Sequence, residues 1–582
     1  MTTNEIVGRL KSGGLDASST NRSAAVYVTE ARSGRAEPGW FGFRIVCRDE
    51  ATERRVRSIL SRWYDIDASG NVWRLRSKNR VPLMAIKRGG VPPTPPTPTG
   101  DYMYFEAAEA NSTVSMMSML ATAPNLEYST DCVTWQEWQH TTADDMHTFD
   151  TLTLGAEGDK VYIKGVNPDG FLDLENMCFS LFSMTGKIAA HGNAQSLVDG
   201  DTPTLVAKTM PILSDVLLTE QLSDVLVSAP SLPATTLADH CYYAMFQGCT
   251  GLTQAPALTA TTLADYCYYA MFQGCTGLTQ APALTATTLS VYCYSVMFQG
   301  CTGLTQAPSL PATTLSEGCY YAMFQGCTGL TQAPSLPATT LADDCYYEMF
   351  LGCTGLTQAP SLPATTLAEG CYSGMFQGCT GLTQAPSLPA TTLADHCYYA
   401  MFQGCTGLTQ APSLPATTLA DYCYSEMFQG CTGLTQAPSL PATTLSEGCY
   451  SEMFQGCTGL TQAPDLPATT LADYCYSEMF QGCTGLTQAP SLPATTLSVY
   501  CYSVMFQGCT GLTQAPSLPA TTLAVGCYSV MFTECDFNMS DDGTTFNFAF
   551  GATPPVTVGE ETYSTYYVLA EWMGNVNGFT TP

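Results

Sequence analysis

Twelve times between Leu232 and about Thr544 the chain restates one 26-residue phrase. The first copy reads "LPATTLADHCYYAMFQGCTGLTQAPA". Its cysteines fix the period: the first recurs every 26 residues from Cys241 to Cys527, and the second follows eight residues later, from Cys249 to Cys535. Leu237, Cys241 and Met245 are four apart, with Phe246 beside them, which predicts a short helical segment with one apolar face. Cys249 and Leu252 continue the apolar series. "LTQAP" then reads as extended, and Pro233 and Pro256 keep any helix from running on. A unit this short cannot bury its apolar face alone. Copies laid side by side can, so the expected architecture is a solenoid with equivalent residues stacked.

The flanks read as caps and separate modules. Leu226, Ala229 and Pro230 sit one period before Leu252, Ala255 and Pro256, while Asp215 and Ser223 stand where cysteines would be. Residues 194–231 are therefore expected to be a degenerate N-terminal capping repeat, ahead of the array at 232–544. Residues 545–582 are expected to cap the other end, with "TTFNFAF" as a strand and Leu569, Trp572 and Met573 together on a helix. Residues 101–193 carry short strand-like runs such as "LEYST" and "DKVYIKGV" between turn residues, the pattern of a small antiparallel β-sandwich. "GGVPPTPPTPTG" at 89–100 reads as an extended polyproline linker. Before it, residues 1–88 read as a small α+β unit. Val56, Ile59, Leu60 and Trp63 lie at helical spacing, and "DASGN" turns into a strand "VWRLR".

Charge separates these parts. The chain carries 21 Lys+Arg against 50 Asp+Glu, a net of −29. Residues 1–100 hold 17 basic and 9 acidic residues, +8, so the remainder holds 4 and 41, −37, with no Lys or Arg after Lys208. An anionic array repels phosphate backbones, so no nucleic-acid partner is expected there, and only the first segment could meet an anionic surface. No run is long and apolar enough to span a bilayer, and "MTTNEIVGRLKSGG" has no signal-peptide core.

Of 27 cysteines, 24 lie in the array and three are Cys47, Cys132 and Cys178. An eight-residue separation without matching histidines is not a zinc pattern. Disulfides between the two cysteines of a copy stay geometrically open, but a small apolar side chain repeated on every coil is what a buried thiol ladder needs, and packing is the favoured reading. The five histidines, His140, His147, His191, His240 and His396, fall in no catalytic constellation. No phosphate loop, nucleophile elbow or dinucleotide fingerprint occurs, so neither enzyme nor cofactor nor metal is expected.

Within an almost constant frame, four positions vary. The pair beginning at Asp239 runs DH, DY, VY, EG, DD, EG, DH, DY, EG, DY, VY, VG, and the pair beginning at Tyr243 runs YA, YA, SV, YA, YE, SG, YA, SE, SE, SE, SV, SV. Tyrosine and aspartate suit adaptable contacts. The candidate partner-binding residues are therefore Tyr243, Tyr269, Tyr321, Tyr347 and Tyr399, with Asp239, Asp265, Asp343 and Asp395. The competing reading is drift on a solvent face.

The phrase "MFQGCTGLTQAPSLPATTLADYCY" resembles the BspA-type (Treponema-type) leucine-rich repeat, an aromatic followed by Gly-Cys, then Leu and Pro, here Phe246, Gly248, Cys249, Leu252 and Pro256 and their equivalents. It departs from that family's unit in its 26-residue length and in the second cysteine at 241. The resemblance implies adhesion or binding, with no catalytic residues. The resulting expectation is a modular, non-enzymatic protein whose solenoid meets a cell-surface glycan or protein. Residues 1–88 would fix it to a virion, as in a phage tail fibre, or to a bacterial surface. A bacterial secreted adhesin, or a spacer that binds nothing, are the alternatives.

Overall fold

The computed structural model describes residues 101–214 and 221–535 throughout, with residues 52 and 56 and seven strands outside those ranges. The chain divides into two compact units, Met1–Pro96 and Thr97–Pro582. In the first, β1 (Ala17–Ser18), β2 (Val26–Glu30), β3 (Phe41–Cys47), β4 (Tyr64–Asp67) and β5 (Trp73–Ser77) form one sheet in the order β1-β2-β3-β5-β4. The expected strand over "VWRLR" is β5. Val56 is helical and buried, but the rest of the expected helix lies outside the described residues. So does the expected C-terminal helix. Near that end, β20 (Val556–Val558) and β21 (Glu561–Tyr563) pair as a hairpin.

The second unit opens with two six-stranded sheets. One is built on β6 (Met103–Ala107), β8 (Leu126–Ser129), β13 (Lys160–Gly165) and β16 (Ile188–His191). The other is built on β7 (Ser112–Ser118), β11 (Met146–Phe149) and β15 (Cys178–Thr185). Burial alternates along β6, β7 and β13, as the period-two side-chain geometry of a strand with one wet face requires. Phe105 and Phe182, one from each sheet, meet at 5.0 Å across the shared core.

The described residues of 194–231 are built into both neighbours. β18 (Leu226–Ser228) adds a parallel strand to β16, and Ile212 bridges Leu181 of β15. On the other side the Leu213 N–H donates to the Met245 carbonyl, and Ser223 bridges Cys249 in the first coil. Sandwich and solenoid thereby share one continuous hydrophobic core. Leu213 and Ser223 meet the first coil through their backbone, while Asp215, at the expected cysteine position, lies outside the described residues.

From Leu232 to Cys535 the copies stack in register. The expected helical segment is replaced by a run of tandem turns. Tyr243, Met245, Gln247 and Cys249 donate N–H groups to carbonyls three residues back, while the intervening Ala244, Phe246 and Gly248 donate to Tyr269, Met271 and Gln273 of the next coil. An α-helix needs every N–H for its own i−4 carbonyl. Here half of them bind the neighbouring coil, and left-handed φ values at His240 (58°), Ala244 (50°) and Gly248 (72°) set the turns. A glycine is obligatory at Gly277, where a Cβ would stand 2.2 Å from the Thr250 carbonyl oxygen of the coil before.

The interior consists of columns. Phe246 and its equivalents stack at 5.5 to 5.7 Å. Tyr242, an invariant residue that the helical reading did not place inside, stacks on Tyr268 at 5.7 Å, and that ladder is buried in every copy. All 24 repeat cysteines are buried thiols. From Cys275 on, each second-column thiol donates to a phenylalanine carbonyl of the previous coil, 3.0 Å for Cys275 to Phe246.

Candidate interaction face

The turns decide which side chains reach solvent. Left-handed φ at His240 and Ala244 sets residues 239, 240, 243 and 244 as adjacent columns on one side, where the acidic, histidine and tyrosine members reach solvent while Ala244, Ala270, Ala322, Ser295 and Ser373 stay buried. Tyr243 and Tyr269 stack at 5.0 Å with planes 5° apart, and Tyr321 and Tyr347 at 4.8 Å and 3°. Tyr399 lies in the same column and its hydroxyl donates to the Glu426 carboxylate. All five candidate tyrosines are half-buried, with Ala244, Ala270, Val296 and Ala322 beneath the column.

The candidate aspartates have a structural task. Each accepts at Oδ1 the backbone N–H of its equivalent in the next coil: Asp239 from Asp265 (3.3 Å), Asp265 from Val291 (3.1 Å), Asp343 from Glu369 (3.2 Å) and Asp395 from Asp421 (3.0 Å). They stitch coils together while leaving their charge on the face.

Two columns that the sequence reading did not nominate complete the face. At the His240 position, His240 stacks on Tyr266 at 5.0 Å, Tyr266 on Tyr292 at 5.3 Å, His396 on Tyr422 and Tyr474 on Tyr500. Each aromatic run ends on a glycine. A Cβ at Gly318 would lie 2.2 Å from the Tyr292 ring, and Gly448 and Gly526 stand the same way under Tyr422 and Tyr500. At the Ala244 position, Glu348, Glu426, Glu452 and Glu478 are half-buried. They accept from side-chain amides of the previous coil, Gln403 to Glu426 at 2.7 Å and Gln429 to Glu452 at 2.8 Å. Burial, then the neighbouring Glu426 and Glu478, push Glu452 up to about 7. Burial likewise raises Glu348, Glu478 and Asp344. The signal was present in the sequence, because these columns belong to the same variable pairs. What hid them was the helical geometry assumed for the segment.

The sandwich carries a second aromatic row. His191, Tyr104 and Tyr162 stand in register across β16, β6 and β13, with ring centroids 5.1 and 5.0 Å apart. Among the described residues no group of His, Cys, Asp or Glu is arranged to hold a metal ion, and no helix is long and apolar enough to cross a membrane.

Fold and face together define a repeat protein, a solenoid of stacked 26-residue coils fused to a β-sandwich. No family model matches the chain, and no curated protein matches it. Among solved structures it is similar to a chain described as "Crystal structure of TLR13-ssRNA13 complex", at 12% identity over 53% of this chain. The match spans about half of that chain, 49%, with a TM-score of 0.19. What TLR13 binds says nothing of this chain's partner.

Proposed function

We propose that this chain is a non-enzymatic adhesion or receptor-binding protein. The solenoid presents its aromatic and acidic columns to a cell-surface glycan or protein, and residues 1–88 anchor the molecule in a larger assembly. The observation that carries this reading is that the four columns whose identity changes strongly stand side by side, and their aromatic and acidic members reach solvent together. A spacer has no reason to confine its variation in this way. Resemblance to BspA-type repeats supports surface display, and a phage tail-fibre-like component fits the change of charge sign across the proline-rich linker.

The test separates the two halves. Removing residues 1–96 leaves the compact unit Thr97–Pro582. That remainder should still bind its target cell, while incorporation into a particle or surface is lost. Replacing Tyr243, Tyr269, Tyr321, Tyr347 and Tyr399 with Ser should weaken target binding at least tenfold, because an aromatic anchor supplies contact area that serine lacks. Unchanged binding in the serine variant would make the solenoid a spacer.

A further inference from the structure

The placement of charge on the solenoid is costly where it could have been cheap. Between Leu232 and Cys535 there are sixteen Asp+Glu and no Lys or Arg, and fourteen of the sixteen stand at the positions of Asp239, His240 and Ala244. Were acidity there for solubility alone, the exposed constant positions would carry it, since a carboxylate in water costs nothing to solvate. Those positions, Thr253, Gln254, Thr261 and Thr262 and their equivalents, are uncharged in every copy and exposed. The carboxylates are instead concentrated on the variable face, and Glu348, Glu426, Glu452 and Glu478 are half-buried there. Neighbouring amides give them hydrogen bonds but no opposite charge. The face is electrostatically incomplete.

The aromatic columns narrow the partner further. Within each short run the rings lie nearly parallel, 5° apart for Tyr243 and Tyr269 and 7° apart for His240 and Tyr266, so the faces that meet inside a run are turned to each other. What the stacks present outward is ring edges beside carboxylates, a surface suited to ammonium and guanidinium groups.

Building on the binding role above, we propose that this face takes a basic protein segment, a Lys/Arg-bearing stretch of a partner laid along the solenoid axis so that its cations neutralise successive coils. Charge complementarity selects this occupant over a neutral glycan and over an anionic polymer.

The test uses the full chain and two probes, a fluorescent nona-arginine peptide and a panel of neutral surface glycans, with binding read by anisotropy and by array. In one variant Glu426, Glu452 and Glu478 become Gln, which keeps shape and hydrogen bonding. In a control of equal net charge, Glu109→Gln, Asp144→Asn and Asp145→Asn change exposed residues of the sandwich. The face variant should lose about tenfold or more in peptide affinity and show a shallower salt dependence, and the control should stay within about twofold. Equal losses in both would overturn the proposal, because the peptide would then be reading net charge. Glycan binding that survives the glutamine variant, with no face-specific peptide binding, overturns it and leaves the adhesion reading standing. Binding of neither probe, together with no binding to target cells, removes both readings. Salt-sensitive self-association that disappears on removing residues 1–96 would assign the face to the basic unit of a second copy, again overturning the proposal.

Discussion

Single residues of the repeat do two jobs at once, and their costs can be read separately. Glu452 is held with Glu426 and Glu478 on neighbouring coils and is raised from 4.5 to about 7. The folded state therefore binds its proton more tightly than the unfolded chain. Its carboxyl costs nothing below pH 4.5, and stability is lost as pH rises from there through about 7. Discounted for its half-exposure, the loss is about 1 kcal/mol. Thermal melts of E452Q against the parent should show the variant gaining at pH 8 and equal at pH 4.5; an equal difference at both would mean the carboxyl is not the cause. Gly277 is the opposite case, a residue with no partner of its own. Gly277→Ala puts a methyl against the Thr250 carbonyl and should cost about 2 kcal/mol or more, measured by denaturant unfolding.

At the level of one coil, the tandem-turn segment and the thiol ladders form a single element. Alternate N–H groups tie each coil to the next, and the cysteines fill the space behind them without bulk. Burial raises Cys267 to about 12, and its equivalents rise in the same direction, so almost none is thiolate at neutral pH. A disulfide reagent applied to native protein should react with no more than Cys47, Cys132 and Cys178, and the 24 repeat thiols should appear only in denaturant. Fast native reaction of the repeat thiols would show that the coils open readily. The same element explains the missed helix. Leu237, Cys241 and Met245 do share the core, but their spacing of four comes from left-handed residues recurring at 240, 244 and 248, a period that mimics a helical turn in sequence.

Across the whole molecule, the second unit is a stack whose coils bind chiefly their neighbours, anchored at one end by a sandwich that shares its core. Removing one whole copy, residues 341–366, should bring the Phe324 and Phe376 columns into contact and leave a folded protein with only a slightly lower melting temperature. Removing half a copy, residues 341–353, should break every column at the junction and yield two separate unfolding transitions. Equal behaviour of the two deletions would contradict columnar stacking.

The sequence by itself determined the solenoid, because a 26-residue apolar phrase repeated twelve times has no way to bury Leu252, Met245 and Phe246 except against its own copies. It also located the variable face, since variation is visible letter by letter. Only the tertiary structure decided how each coil is built and which residues share that face. The hydrogen bonds that replace a helix join residues 25 apart, such as Ala244 to Tyr269, and no local propensity reports them. Those bonds bring Glu452 and His240 out beside the tyrosines, turn the aspartates into stitches between coils, and seat the invariant Tyr242 in the core.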